Sequence, residues 1–208
     1  MAQRSAGEVR LLGGRWKRTP LTVPVAAGLR PTPARVRETL FNWLGQDLAG
    51  WRVLDAYAGS GALGLEAASR GAQEVCLIER NPLLSRALVA MVDKLGAREQ
   101  VRVLAGDALN GMRLPGAQAH FDLVFLDPPF DEADFPGVLA AAVNCVPEEG
   151  WIYLESPHSY AQWPEVPVPS VLKQSLVLQR HGQAGAVHFH LFRRVAASAP
   201  LTQADGSP

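Results

Sequence analysis

The spacing of apolar residues changes rhythm twice along this chain of 208 residues. Residues 9–25 (VRLLGGRWKRTPLTVPV) mix β-forming side chains with a Gly-Gly pair and prolines, which predicts a short irregular hairpin or arm outside the core. Thr32 followed by Pro33 reads as an N-cap with proline at the first helical position. Val36, Leu40, Phe41, Trp43, Leu44 and Leu48 then recur at helical spacing, predicting an amphipathic helix that ends near Gly50. From residue 51 short apolar runs, each closed by an acidic residue or a loop, alternate with helical stretches, the pattern of a parallel sheet covered by helices. Strands are expected at about Trp51–Asp55, Glu74–Glu79, Val101–Leu104, Phe121–Asp127 and Trp151–Glu155, with helices beginning near Gly61, Pro82, Asp107 and Asp134. The runs Val171–Gln179 and Ala186–Arg193, separated by His181-Gly182-Gln183, predict two closing strands joined as a hairpin.

These elements make one α/β domain of Rossmann-like character over residues 31–195, preceded by an arm at 1–30 and followed by a small, polar tail at 196–208 expected to be disordered. A composition that is 48% hydrophobic suffices for one sizeable core. No apolar run approaches the roughly 18 residues of a membrane span, and the opening MAQRSAGEVR has no apolar stretch to serve as a signal peptide, so a soluble cytoplasmic protein is expected. Cys76 and Cys145 stand far apart with no Cys or His at ligand spacing, which predicts reduced thiols, no disulfide and no metal. The formal net charge is zero, yet residues 1–37 hold eight basic groups against the single Glu8. Arg10, Arg15, Lys17 and Arg18 thus mark the arm as a candidate for contact with a phosphate backbone.

In a doubly wound sheet the ligand lies across the carboxyl ends of the strands. The first of those ends carries Asp55-Ala56-Tyr57-Ala58-Gly59-Ser60-Gly61-Ala62-Leu63-Gly64. Gly59, Gly61 and Gly64 match the dinucleotide fingerprint, and Glu79 follows Gly59 by 20 residues, where a ribose-binding carboxylate belongs. Asp55 separates the ligands this loop could hold. A pyrophosphate would be repelled by it, whereas S-adenosylmethionine has no phosphate and offers an ammonium and a sulfonium that a carboxylate attracts. On this reading Ala58, Gly59, Ser60 and Gly61 cradle the cofactor beside Asp55. Glu79, with Arg80 next to it, meets the ribose, and Asp107 and Ala108 meet the adenine.

The sharpest signal is Asp127-Pro128-Pro129-Phe130, where an apolar strand runs into a carboxylate and two prolines. Prolines donate nothing to a ladder while their carbonyls remain acceptors, so acceptors converge on one spot. The exocyclic amino group of a nucleobase is a poor nucleophile because its lone pair is delocalised into the ring. It reacts when its hydrogens are held, here by Asp127 and the Pro128 carbonyl, and its nitrogen is pyramidalised toward the methyl donor. Phe130 offers a face for the base, and the base must leave its stack to reach it.

The string Val9-Arg10-Leu11-Leu12-Gly13-Gly14-Arg15-Trp16, the segments Gly28-Leu29-Arg30-Pro31-Thr32 and Arg35 to Leu44, the loop Ala58 to Ala67 and Asp127-Pro128-Pro129-Phe130 together resemble the RsmD family of 16S ribosomal RNA guanine-N2 methyltransferases. The match runs from about residue 9 to 193. The resemblance implies a class I methyltransferase fold, a seven-stranded mostly parallel sheet with an antiparallel last strand and helices on both faces. It implies methylation of a guanine amino group in small-subunit RNA on a partly assembled particle, by a monomer. The Gly-Gly-Arg arm would contact RNA, while Arg30, Thr32 and the helix bearing Arg37 and Glu38 would close over the methionine end of the cofactor.

His188 and His190 alternate with Phe189 on one strand face, and with no third ligand they are read as structural. Three other functions stay open. An NAD-dependent oxidoreductase would explain the glycine loop and Glu79 but not Asp55. An adenine-N6 methyltransferase acting on DNA or RNA shares the Asp-Pro-Pro-Phe segment, though little chain remains for a domain that reads duplex sequence. A non-catalytic RNA-binding module would need only the basic arm.

Overall fold

The computed structural model describes residues 9–22, 24, 32–130, 134–165 and 170–196. In chain order its elements are β1 (Val9–Arg10), β2 (Pro20–Leu21), α1 (Ala34–Leu44), β3 (Arg52–Asp55), α2 (Gly64–Ser69), β4 (Glu74–Glu79), α3 (Pro82–Lys94), β5 (Val101–Ala105), α4 (Ala108–Met112), β6 (Leu123–Leu126), α5 (Phe135–Cys145), β7 (Trp151–Ser156), α6 (Ser170–Ser175), β8 (Leu176–Ala184) and β9 (Val187–Arg194). Seven strands form one sheet in the order β5-β4-β3-β6-β7-β9-β8. The pairings from β5 to β7 are parallel, and β9 runs antiparallel to both of its neighbours. The seven-stranded Rossmann-like sheet with an antiparallel last strand is therefore the observed architecture.

Alternate side chains of the central strands enter two separate cores. Val53, Leu77, Leu123, Phe125 and Tyr153 pack with α1, α2 and α3 on one face. Leu54, Ile78, Val124, Leu126, Ile152 and Leu154 pack with α4, α5 and α6 on the other. Burial on both faces is why these strands read as nearly continuous apolar runs.

Three local expectations are corrected. Pro33, not Thr32, occupies the N-cap position of α1, and the helix stops at Leu44 because Gly45 takes a left-handed φ of 96°; Leu48 reaches the core from a loop. The run from Val171 does not begin as a strand. Residues 170–175 are helical, and His181-Gly182-Gln183 lie inside β8. The chain reverses instead at Gly185-Ala186, between the paired Ala184 and Val187, where Gly185 supplies the positive φ of 61° that a two-residue hairpin needs at its first central position.

The arm, expected outside the core, is built into it. Val9, Leu11 and Leu21 are buried among the residues of α1 and α2. The Glu66 carboxylate accepts the backbone N–H groups of Leu12 at 2.7 Å and Gly13 at 2.8 Å. Trp16 N–H donates to the Ser69 hydroxyl, which in turn donates to the Gly13 carbonyl at 2.6 Å. The expected disorder of the tail concerns residues that, apart from Ala196, lie outside those described.

Candidate active site

Strand order sets the electrostatics of the carboxyl edge. Crossing the sheet from β5 to β7, successive strands end at or just before Asp107, Glu79, Asp55, Asp127 and Glu155. One carboxylate per strand, at about 4.8 Å between strands, makes an acidic row roughly 19 Å long. A row of this sign repels phosphates and attracts cations.

At its centre Asp55 is 2% exposed, and one of its oxygens accepts the Gly64 N–H at 2.9 Å. This carboxylate thereby holds the start of α2 in place. Burial pushes its pKa up to about 7; the Gly64 hydrogen bond opposes this and the nearby charge of Glu79 adds to it. Gly59 and Gly61 adopt positive φ values of 51° and 75°, so the turn between β3 and α2 depends on residues without a Cβ. Glu79 ties this turn to the next strand, accepting Gly59 N–H at 2.8 Å on one oxygen and Asn81 N–H at 2.7 Å on the other. Each oxygen retains a lone pair for a ribose hydroxyl. Leu21, Thr22 and Pro24 of the arm line one small cavity together with Gly59 and Ser60.

Asp107 accepts Asn110 N–H and so caps α4, with Ala108 buried behind it. Arg80 is exposed, and it shares the surroundings of the Tyr57 hydroxyl with Asp107 and Asp134. Thr32 is buried, its side chain close to Asp127 and Glu155. Arg30 lies outside the described residues.

Asp127 follows β6, the strand next to β3, so the Asp-Pro-Pro-Phe turn and the glycine loop leave adjacent strands. Asp127 is half-buried and Pro128 buried, while Phe130, 36% exposed, lies tilted 6.3 Å from the Phe135 ring. Desolvation and the neighbouring carboxylates of Glu155 and Asp55 raise the Asp127 pKa well above the usual carboxylate range.

Several residues that sequence reasoning did not single out carry part of the site. Glu155 is 4% exposed beside Asp127 and accepts the Tyr153 hydroxyl at 2.9 Å. Their two-residue spacing on one strand places both on the same face, but only the pairing of β6 with β7 makes Asp127 their neighbour. Glu66 is a hub: besides the two arm N–H groups it binds Arg37 at 3.4 Å and Arg70 at 2.8 Å, with its side chain fully buried. Arg37 therefore turns inward, donating to the Thr32 carbonyl and Glu66, while Glu38 is exposed.

Arg15, Lys17 and Arg18 are exposed at the arm's tip. The tip is fastened to Ser69 at the end of α2, and the Arg15 guanidinium donates to Gln100 just before β5, both at the amino edge of the sheet. The structure thus separates the arm's cations from Asp127 by the length of a strand, roughly 15 Å. Arg10 lies closer to the arm's base and donates to the Arg18 carbonyl.

His188, His190 and His181 stack on one face of β8 and β9. Buried His190, held at Leu154 O and Tyr160 N, has its pKa lowered to about 4 by desolvation. Among the described residues no group of three or more His, Cys, Asp or Glu side chains is arranged to hold a metal ion, and no helix is long and apolar enough to cross a membrane.

Residues 9–193 match the model of the family described as Conserved hypothetical protein 95. The chain is 38% identical over 191 residues to "Ribosomal RNA small subunit methyltransferase D" of Escherichia coli strain K12, covering 92% of each protein. It is 34% identical to the protein of that name from Haemophilus influenzae, covering 90% of this chain and 94% of the relative. The solved structure of the yhhF protein of Escherichia coli superposes with a TM-score of 0.77 at 37% identity, over 91% of this chain and 99% of that one.

Proposed function

The chain belongs to the RsmD family, and on that footing we propose that it transfers a methyl group from S-adenosylmethionine to the N2 amino group of a guanine in 16S ribosomal RNA. The observation that carries this reading is the adjacency of the glycine loop and the Asp127-Pro128-Pro129-Phe130 turn on neighbouring strands, within a row of carboxylates. Those carboxylates weigh against a cofactor bearing a pyrophosphate, hence against the oxidoreductase alternative. They fit a ligand bearing an ammonium and a sulfonium.

Asp55 and the Ala58–Gly61 loop would hold the methionine end and body of that cofactor, Glu79 and Arg80 its ribose, and Asp107 and Ala108 its adenine, with Thr32 closing from α1. When bound, S-adenosylmethionine supplies a methyl already activated by its positive sulfur. The protein's own task is then positioning. Asp127 and the Pro128 carbonyl hold the two amino hydrogens, Pro129 fixes the turn, and Phe130 stacks under the flipped base. Arg10, Arg15, Lys17 and Arg18 would bind phosphates away from the reacting nucleotide. That footprint suits a folded RNA within a partly assembled small subunit, approached by a single copy of the enzyme.

The test is mass mapping of modified nucleotides in small-subunit RNA from cells lacking this protein. One N2-methylguanine is expected to disappear, and purified protein should restore it. An unchanged set would refute the reading, and loss of an N6-methyladenine would replace guanine with adenine as the target.

A further inference from the structure

The transfer leaves one proton too many on the amino nitrogen, and two carboxylates at the reacting end of the site, half-buried Asp127 and buried Glu155, are side by side. Glu155 is 4% exposed. One of its oxygens is occupied by the Tyr153 hydroxyl at 2.9 Å, and Tyr153 is wholly buried beneath it. Glu155 follows Leu154, whose register partner Leu126 precedes Asp127, so the two carboxyl groups stand level on neighbouring parallel strands. Buried Thr32 lies near both. The groups facing this pair are acidic or neutral: Asp55 from β3, Tyr153 from β7 and Thr32 from the start of α1. The nearby cation Arg37 donates to the Thr32 carbonyl and to Glu66. Two like charges level on adjacent strands each strengthen the other's hold on a proton.

Resting on the proposed methyl transfer, we propose that Glu155 is a positioning residue whose negative charge, level with Asp127 on the next strand, keeps Asp127 competent to accept the proton released by the target amino group. The balance is complete. The N–C bond forms as the bond from that carbon to sulfur breaks, the bonding pair stays on sulfur, and the N–H proton passes to Asp127. Glu155 stays ionised through the step, and the pair holds that one proton until the product leaves and water enters. Without the negative charge of Glu155, Asp127 would be an ordinary acidic carboxylate and a weaker base.

Glu155→Gln keeps the shape and an acceptor for Tyr153 while removing the charge. In the protein without cofactor, carbon-13 NMR titration of the side-chain carboxyls should show Asp127 titrating about one pH unit lower in Glu155→Gln than in wild type, the scale of one neighbouring charge. In the full reaction the acidic limb of the kcat profile should move in the same direction, with kcat reduced roughly tenfold, within the range ascribed to a proton acceptor. Glu155→Asp should restore most of the limb position. An unmoved Asp127 titration in a folded Glu155→Gln protein would overturn the proposal, as would a fall in kcat with the limb unmoved, which marks a purely structural role. A wild-type protein that methylates no RNA would instead defeat the function on which the inference rests.

Discussion

A carboxyl that burial has pushed up to about 7 binds a cationic ligand only by giving up its proton, and Asp55 is such a group. In the unliganded protein at pH 6 it is about nine-tenths protonated, so ionising it there costs about 1.4 kcal/mol, one factor of ten. At pH 8 the cost is close to zero. Affinity for S-adenosylmethionine should therefore be about tenfold weaker at pH 6 than at pH 8, with net proton release on binding near neutral pH. The same shift fixes the stability of the free protein. Asp55 has a folded pKa above its unfolded value, so the unfolded chain loses this proton first, and stability falls as pH rises from about 4 to about 7 and then levels. About three units at 1.36 kcal/mol each give a penalty of up to about 4 kcal/mol at pH 8. Asp55→Asn keeps an acceptor for Gly64 N–H and removes the charge. It should stabilise the unliganded protein at pH 8 by up to about 4 kcal/mol in urea denaturation, while weakening cofactor binding and flattening its pH dependence in isothermal titration. A variant that is less stable than wild type at pH 8, or that keeps the tenfold pH effect, would refute the reasoning.

Asp127→Ala removes one of the two proposed acceptors for the amino hydrogens; transfer in single-turnover assays should drop at least about a hundredfold while S-adenosylhomocysteine affinity changes little, and near-wild-type turnover would reject the catalytic assignment. Glu66→Gln leaves Arg37 and Arg70 facing a neutral amide in a buried pocket and should cost about 3 kcal/mol in urea denaturation, with faster amide exchange at Leu12 and Gly13; a loss below about 1 kcal/mol would show that the hub contributes little. Replacing Arg15, Lys17 and Arg18 with Ser together should lower RNA affinity and reduce the slope of log affinity against log salt by up to about three. An unchanged slope would take the arm's tip out of the RNA interface.

Asp55, Glu79 and Asp127 stand out in the sequence because each sits in a local motif whose spacing is set by one strand and the turn after it, and the structure places all three at one edge of the sheet. The hairpin of β8 and β9 was legible as a pair of strands but misplaced at its turn, since His181-Gly182-Gln183 mimics a turn in composition. Gly182 lies in a strand where a Cβ would collide with the Phe189 ring, a requirement that exists only once the two strands are paired. His190 is buried with both ring nitrogens engaged, partners that come from β7 and from the segment at Tyr160 and that only the fold brings to it.

What the sequence determined by itself is whatever depends on near neighbours. Nearly continuous apolar runs forced a sheet with two covered faces, glycines fixed the turn after β3, and Asp55 put a carboxylate beside that turn. Tertiary structure alone decided which distant groups share one environment. Strand order lined five acids along one edge, put Glu155 level with Asp127, and brought Glu66 against an arm more than fifty residues away. Those outcomes depend on burial and on pairing between strands, and both are properties of the assembled sheet, since a carboxylate's desolvation and its neighbours are undefined until the chain has closed around it.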